Sequence, residues 1–443
     1  MSDFGRARCP LPEEVLLRRW GHASFRPLQR EAVAAALAGR DCLVVLPTGG
    51  GKSLCYQMPA ALKHGLVLVV SPLIALMDDQ VATARQAGLA ADALHCGLEA
   101  GRRGEVRRRL EDGRTELLYL SPERLLWEDL LPRLSPRLAL VAVDEAHCIS
   151  HWGHDFRPVY RCLAAPLEFV PAAARMALTA TAAPAVQDDI CAQLALRRPE
   201  RLIGHPDRAN LVYRVVPRHD RSRQVLEVVR RHPGEGGIVY ARTRAGVESL
   251  ARALRESGVR CGAYHAGLPA AERQRAHRDF TAGRLDAVVA TVAFGMGIDR
   301  ADIRYVVHAD TPRALDHYLQ ESGRAGHDGL PAECVLLFAV QDIAALLRLG
   351  RGDPGLAPER RRVLAGQVLR MGGYALAATC RHSLISRHLG ADLASSPQGC
   401  GACDVCLGET GVWDCARRWL GRLRLRFLAA RGPDQADHRL TYP

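Results

Sequence analysis

Lysine is almost missing from this sequence: of 60 basic residues only Lys52 and Lys63 are lysines, and the rest are arginines. So lopsided a ratio looks like GC-rich coding bias, and it discounts what the surplus of positive charge can be taken to mean. Also missing is any apolar run approaching the ~18 residues that a membrane-spanning helix needs. The stretch Met1 to Glu14 lacks the apolar centre of a secretory signal. A soluble, intracellular chain with no membrane partner is therefore expected. There is no short-period repeat and no low-complexity tract. An apolar fraction of 48% with 24% charged residues excludes wholesale disorder.

What is present is a chain of 443 residues, room for about three domains and more than one hydrophobic core. Sixty basic against 48 acidic residues leave a charge of +12, which favours a polyanionic partner such as nucleic acid. Most of the 14 cysteines are scattered, but Cys380, Cys400, Cys403 and Cys406 form one group. In a reducing compartment such a group reads as a metal site before it reads as disulfides. Four thiolates satisfy tetrahedral Zn²⁺ with no open position, so a structural zinc is expected, with iron–sulfur ligation or four reduced thiols as alternatives.

From Asp41 to Gly204, short apolar runs (43–46, 66–70, 117–120, 138–143 and 176–178) alternate with longer helical patterns, as in a buried parallel sheet. After a polar stretch at 206–210 the alternation resumes, with strands expected near 237–240, 261–264, 286–290, 305–308 and 334–338. Gly- and Pro-rich residues 350–358 break the pattern, and two helices and a Cys-rich loop follow. The expected division is an α/β lobe at 1–205, a second at 206–345, a helical metal-binding subdomain at 346–410 and a short basic tail at 411–443. The arginine-rich stretch 413–427 reads as a solvated terminal helix in preference to a basic amphipathic one.

Leu43-Val44-Val45-Leu46 runs into Pro47-Thr48-Gly49-Gly50-Gly51-Lys52-Ser53 and then a helical pattern, the strand, glycine loop and helix of a phosphate-binding loop. Glycines let backbone N–H groups close on phosphate oxygens at a helix N-terminus. Lys52 would reach the β- and γ-phosphates of ATP as a point charge, and the Ser53 hydroxyl would ligate Mg²⁺. Leu46 stands where the general pattern has its first glycine. A second apolar strand ends in Asp144-Glu145-Ala146-His147, at the strand edge where α/β sheets bind ligands. Asp144 suits the shell of Mg²⁺ and Glu145 the base that orients an attacking water.

In order and spacing these pieces resemble superfamily 2 helicases, and more narrowly the RecQ family of ATP-dependent DNA helicases. The resemblance covers about Leu16 to Leu407. It rests on Trp20-Gly21-His22 with Phe25-Arg26-Pro27-Leu28-Gln29, the phosphate loop, residues 71–80 (SPLIALMDDQ) and 120–125 (LSPERL). Further on it rests on 144–158 (DEAHCISHWGHDFRP), 178–182 (LTATA), 264–268 (YHAGL), 290–299 (ATVAFGMGID) and 320–329 (QESGRAGHDG). It implies two tandem RecA-like doubly wound parallel-sheet lobes followed by a small helical zinc-binding subdomain. Arg26 and Gln29 would hold the adenine, with His22 stacking on it where the family usually has tyrosine. Thr48, Gly49, Gly50 and Gly51 would cradle phosphate. His147, Thr179 and Thr181 would couple phosphate state to lobe movement. Thr291, Gly297 and Asp299 would link the second lobe to nucleotide and strand, and Gln320 and Arg324 would act on the γ-phosphate. Ser71, Trp152, His154, Phe156 and Arg157 would meet the DNA. Aromatics beside a cation fit the stacking of unpaired bases, and in the family this aromatic-rich loop couples strand binding to hydrolysis. The four grouped cysteines occupy the positions of the family's zinc subdomain.

Two departures matter. The family pairs two arginines three apart facing the γ-phosphate, whereas here the pair is Arg324 and His327. Imidazole lacks the guanidinium fork, so slower hydrolysis is expected. Longer family members continue with a winged-helix and often a further helical domain, which the 37 residues after Cys406 cannot encode; duplex docking is then expected to use the motor and zinc surfaces or a partner. The reading that results is an ATP-dependent DNA helicase using ATP, Mg²⁺ and Zn²⁺, with 3′ to 5′ polarity implied by the resemblance. Its expected setting is DNA repair or recombination in a bacterial cytoplasm or nucleoid. Its partners would be single-stranded and tailed duplex DNA, with single-strand-binding or repair proteins alongside. The alternatives are a DNA-stimulated ATPase or translocase without robust unwinding, or a DNA-binding protein with weakened hydrolysis.

Overall fold

A computed structural model of the chain describes residues 10–409 apart from 73, 128–129, 154, 293, 295–299, 352–354 and 392–398. His154, Gly297, Asp299 and the tail 411–443 lie outside the described residues.

Seven strands form the first sheet: β1 (Cys42–Val45), β2 (Leu66–Val70), β3 (Ala91–Leu94), β4 (Leu117–Leu120), β5 (Leu138–Val143), β6 (Ala174–Thr179) and β7 (Glu200–Ile203), in the order β3-β4-β2-β5-β6-β1-β7. Six form the second: β8 (Leu211–Pro217), β9 (Gly236–Tyr240), β10 (Cys261–Tyr264), β11 (Ala287–Ala290), β12 (Ile303–His308) and β13 (Ala332–Phe338), in the order β10-β11-β9-β12-β13-β8. All pairings are parallel. Runs such as Leu66–Val70 and Leu117–Leu120 are buried along their whole length, as expected of strands covered by helices on both faces. The α/β class and the two sheets agree with the sequence reading.

The register decides what meets at the strand ends. Val45 pairs with Thr179 and Val143 with Ala177, so the loops leaving β1, β5 and β6 emerge side by side at one edge. That edge carries the phosphate loop, Asp144 and the Thr179–Thr181 segment.

Three strands escaped the sequence reading. β3 carries Asp92 in its centre, buried and paired with Arg85, Arg109 and the Thr115 hydroxyl, so a satisfied buried charge masks an apolar pattern. β7 is an edge strand with a half-exposed face. β8 falls directly after the polar stretch, and the chain crosses from one sheet to the other between Ile203 and Leu211.

The helix Val340–Arg351 runs through position 346 and packs on the long helix Pro358–Leu376; the helix Arg381–His388 follows. Met371, Tyr374, Ile385 and Cys403 belong to the same apolar cluster as strands of the second sheet. The Cys-bearing segment therefore has no separate core and is built onto that sheet's edge, where Tyr213 of β8 pairs with Cys403. Among the described residues no helix is long and apolar enough to cross a membrane.

Candidate functional site

The phosphate loop is shaped by glycine. Gly49 and Gly51 take φ of +78° and +74°, a region that side chains with a Cβ avoid. Gly51 caps the helix Lys52–Ala61, so that helix's free N–H groups face the loop's concavity. The Lys52 ammonium donates to the Leu46 carbonyl at 3.4 Å.

Arg26 and Gln29 do not stand apart awaiting a base. The Gln29 amide donates to the Gly50 and Gly51 carbonyls at 3.1 and 3.0 Å and accepts from the Arg26 N–H at 2.8 Å. The Arg26 guanidinium donates to the Gly49 carbonyl. Both brace the loop's outer side, and the exposed His22 lines the same cleft.

Asp144 follows β5 and is buried, accepting from the Glu145 N–H at 3.0 Å. Burial and the adjacent Glu145 carboxylate push its pKa up to about 7, against the pull of Lys52. A carboxylate so short of compensating charge, beside Lys52 and Ser53 in one cleft, fits a site for a hard divalent cation.

Glu145 takes the left-handed conformation, with φ of +47°, an arrangement of a kind found at functional sites because the surroundings must enforce it. His147 is buried, with Nδ1 3.3 Å from the Glu145 carboxylate and 3.0 Å from the Thr179 hydroxyl. That hydroxyl donates to the Thr181 carbonyl at 3.2 Å, while the Thr179 carbonyl accepts from the Leu46 N–H at 3.1 Å. One hydrogen-bond chain thus joins the acidic strand end, the Thr179–Thr181 segment and the root of the phosphate loop.

The cleft, about 680 Å³ in volume, is closed from the second lobe by Gln320, Arg324 and His327. The His327 ring lies against Gly49, where a Cβ would come within 2.7 Å of it, and its Nε2 donates to the Gly323 carbonyl at 2.9 Å. The imidazole therefore packs across the interlobe cleft onto the phosphate loop.

The aromatic-rich loop hangs from the same strand end. Trp152 is 58% exposed, and Phe156 packs against His151 with ring centroids 4.0 Å apart and the planes tilted by 32°. Arg157 ties the loop to the Pro72 carbonyl at 2.9 Å and to Asp155. Ser71 is 2% exposed, and its hydroxyl is turned into the protein. Thr291, directly after β11, is half-buried. Sequence reasoning missed two residues here: Gln367 donates to the Trp152 carbonyl at 2.9 Å, and Arg360 donates to the His151 and Gly153 carbonyls. No motif marks either one.

The sulfurs of Cys380, Cys400, Cys403 and Cys406 all lie within 4.8 Å of one another, close to the ~3.8 Å edge of a tetrahedron with 2.3 Å Zn–S bonds. The Ala402 and Cys406 N–H groups donate to the Cys400 and Cys403 sulfurs at 3.4 and 3.5 Å, which favours thiolate. Burial and the neighbouring thiols raise the Cys400 pKa, the state of a thiol cluster that a cation relieves. The donor set fits zinc. Beside it, Arg381 and Asp404 form a fully buried ion pair at 2.8 Å, and Asp404 also accepts from the Val215 N–H of β8 at 3.0 Å.

Over 410 residues the chain is 38% identical to the ATP-dependent DNA helicase RecQ of Bacillus subtilis, an alignment covering 91% of this chain and 68% of that protein. The chain belongs to the RecQ family. Residues 26–190 match the DEAD/DEAH box helicase family, 220–329 the helicase conserved C-terminal domain and 340–407 the RecQ zinc-binding family. The RecQ of Haemophilus influenzae is 41% identical over 406 residues, covering 91% of this chain and 65% of that protein. The chain thus spans about two thirds of the length of these RecQ relatives. Among solved structures, the Mycobacterium smegmatis helicase Lhr matches with a TM-score of 0.60 at 21% identity, over 86% of this chain and 56% of that one; at that identity the likeness is one of fold. The zinc-binding match contains all four cysteines of the thiol cluster.

Proposed function

We propose that this chain is an ATP-dependent DNA helicase that hydrolyses ATP in the interlobe cleft and moves on single-stranded DNA. The observation that carries the reading is the unbroken path from cleft to loop. Lys52, Asp144 and Glu145 face Arg324 across one cavity, and the polypeptide leaving Glu145 passes through His147 to an exposed tryptophan. The relatives named as ATP-dependent DNA helicases support it.

In this reading Lys52 and the loop N–H groups bind the phosphates, Glu145 orients the attacking water, and Arg324 and Gln320 stabilise charge spreading onto the transferred oxygens. Ser53 and Asp144 would hold Mg²⁺, which when bound neutralises phosphate charge. The Glu145–His147–Thr179 chain reports the state of the cleft to the loop at Trp152, whose ring, with Phe156, stacks on unpaired bases; Arg157 contributes charge, and Thr291 faces the strand from the second lobe. Cys380, Cys400, Cys403 and Cys406 would hold Zn²⁺, which when bound would staple the C-terminal segment to the second sheet. The working units are the lobes 1–205 and 206–345 and the subdomain 346–410. The substrate is DNA with a 3′ tail, and single-strand-binding or repair proteins are its natural partners.

Strand displacement on 3′-tailed, 5′-tailed and blunt duplexes, with ATP turnover on matched DNA and RNA, tests this. Displacement of the 3′-tailed duplex alone, lost in Lys52→Ala, is expected. A wild-type protein whose ATP consumption ignores added DNA would end the reading.

A further inference from the structure

We propose that Arg208, in the segment joining the two lobes, is a positioning residue for Arg324. The proposal rests on the reading of Arg324 given above and extends it to what holds that side chain in place.

Arg324 sits in a turn that begins at Gly323 and bends again at Gly326, which has φ of +57°. Within the turn the Arg324 and Ala325 N–H groups donate to the Glu321 and Ser322 carbonyls at 3.3 and 3.1 Å, and further support comes from outside it. The two prongs of the Arg208 guanidinium donate to the Gly323 and Gly326 carbonyls, and the Asn210 amide donates to the Gly326 and Leu330 carbonyls at 2.9 Å each. The carbonyls on either side of Arg324 are thus held from a segment more than 110 positions away in sequence. A planar fork matches two separated carbonyls in a way that a single ammonium does not.

The other side of the turn faces the phosphate loop. A Cβ on Gly323 would stand 2.7 Å from the Leu319 carbonyl and 3.2 Å from the Thr48 hydroxyl. Gly323 is therefore gripped between Thr48 and Arg208, and its carbonyl also receives His327 Nε2. Arg208 also lines a small void of about 30 Å³ with Thr48, Thr181, Gly323 and Ile385, where the phosphate loop, the Thr179–Thr181 segment, the turn and the zinc-side helix converge. Burial lowers the Arg208 pKa, the burden of a guanidinium withdrawn from water, which its carbonyl acceptors offset. The linker is anchored in turn, because Asp207 pairs with His382, whose Nε2 meets the Leu211 and Ala402 carbonyls at 3.1 and 3.3 Å. The linker joins the two lobes covalently and holds the turn that carries Arg324, so its conformation bears on where Arg324 points.

The test uses the full chain as wild type, Arg208→Ala, Arg324→Ala, the double variant and Arg208→Lys. Displacing a catalytic group by ~1 Å costs on the order of a hundredfold, so Arg208→Ala is expected to lower DNA-stimulated kcat roughly tenfold to a hundredfold. KM for ATP and affinity for a non-hydrolysable fluorescent analogue should stay within about threefold. If Arg208 acts through Arg324, adding Arg208→Ala to Arg324→Ala changes kcat by less than about twofold. Arg208→Lys recovers only part of the rate. Losses that multiply in the double variant, or an Arg208→Ala protein with wild-type kcat, overturn the proposal. Should Arg208→Ala fail to fold, the Lys variant carries the test, and full turnover in it is the overturning result. Unchanged turnover in Arg324→Ala would instead sink the reading of the cleft and leave Arg208 nothing to position.

Discussion

The side-chain amide of Gln367 donates to the backbone carbonyl of Trp152 at 2.9 Å, joining the long C-terminal helix to the aromatic-rich loop across 215 positions of sequence. Gln367 is buried, and Arg360, one face of the same helix further back, holds the carbonyls on either side and lies over the Phe156 ring at 5.5 Å. The loop backbone is held while the indole stays in solvent, an arrangement that presents the ring without ordering it anew at each encounter. A buried amide hydrogen bond is worth about 0.5–1.5 kcal/mol net, so Gln367→Ala should raise the oligonucleotide concentration for half-maximal ATPase stimulation by roughly threefold to tenfold. An unchanged half-saturation point in a titration with single-stranded DNA would show that the contact is idle.

Removing the ring itself should be more damaging. Base stacking on an aromatic side chain contributes ~1–3 kcal/mol, and Trp152→Ala or Phe156→Ala is expected to abolish strand displacement while leaving nucleotide binding without DNA intact. Equal displacement rates for variant and wild type would remove the loop from the mechanism.

His327 contacts Gly49 and the Gly323 carbonyl but has no fork to wrap a phosphate. His327→Arg should raise DNA-stimulated kcat by about threefold to tenfold, far less than the ~10³ or more of a whole arginine finger, because Arg324 already occupies the cleft. Stopped-flow phosphate release would read it. A decrease would mean that packing against Gly49 matters more than charge.

The raised pKa of Asp144, about 7, has a thermodynamic consequence with a definite sign. In the folded protein this carboxyl keeps its proton to higher pH than in the unfolded chain, so its contribution is most favourable below about pH 4 and is lost as pH rises towards 7. At pH 8 without magnesium the ionised group is a liability. Asp144→Asn should therefore abolish turnover yet stabilise the metal-free protein at pH 8, by an amount on the order of a few kcal/mol, with the gain shrinking at pH 5. Urea unfolding of both proteins at the two pH values checks this; a gain independent of pH would point to something other than the charge.

Arg381 and Asp404 are among the most deeply buried charges among the described residues, and Asp404 also ties the thiol loop to β8. Breaking a buried ion pair by removing one partner typically costs about 3–5 kcal/mol, so Asp404→Ala should lose zinc along with stability. One zinc per chain is expected in wild type by elemental analysis, and Cys403→Ser should lose both metal and solubility. Full zinc content with an unshifted melting temperature in Asp404→Ala would refute the coupling.

Much of the site was legible because its signals are local. The phosphate loop needs glycines beside one lysine and the acidic strand end needs two carboxylates after an apolar run, each within about ten residues, while the thiol cluster adds to three closely spaced cysteines a fourth, Cys380, twenty positions before Cys400. The strands read well where both faces are apolar, as at Leu66–Val70, and poorly at β3, where Asp92 is satisfied by arginines from neighbouring helices. Ser71 followed the same divide: its motif was plain, yet its hydroxyl is turned into the protein.

The residues that arrange the site are of another kind. Gln29 on Gly50 and Gly51, Arg208 on Gly323 and Gly326, and Arg360 and Gln367 on the Trp152 loop all bind backbone carbonyls. Every residue type supplies a carbonyl, so such a bond leaves no complementary letter elsewhere in the chain to be found by reading. Local chemistry, carried by side chains of particular type at short spacing, is written in the order of residues. Which distant carbonyl each arginine or glutamine will grip emerges only once two sheets and a thiol-bearing edge have packed, because packing alone brings those oxygens within reach.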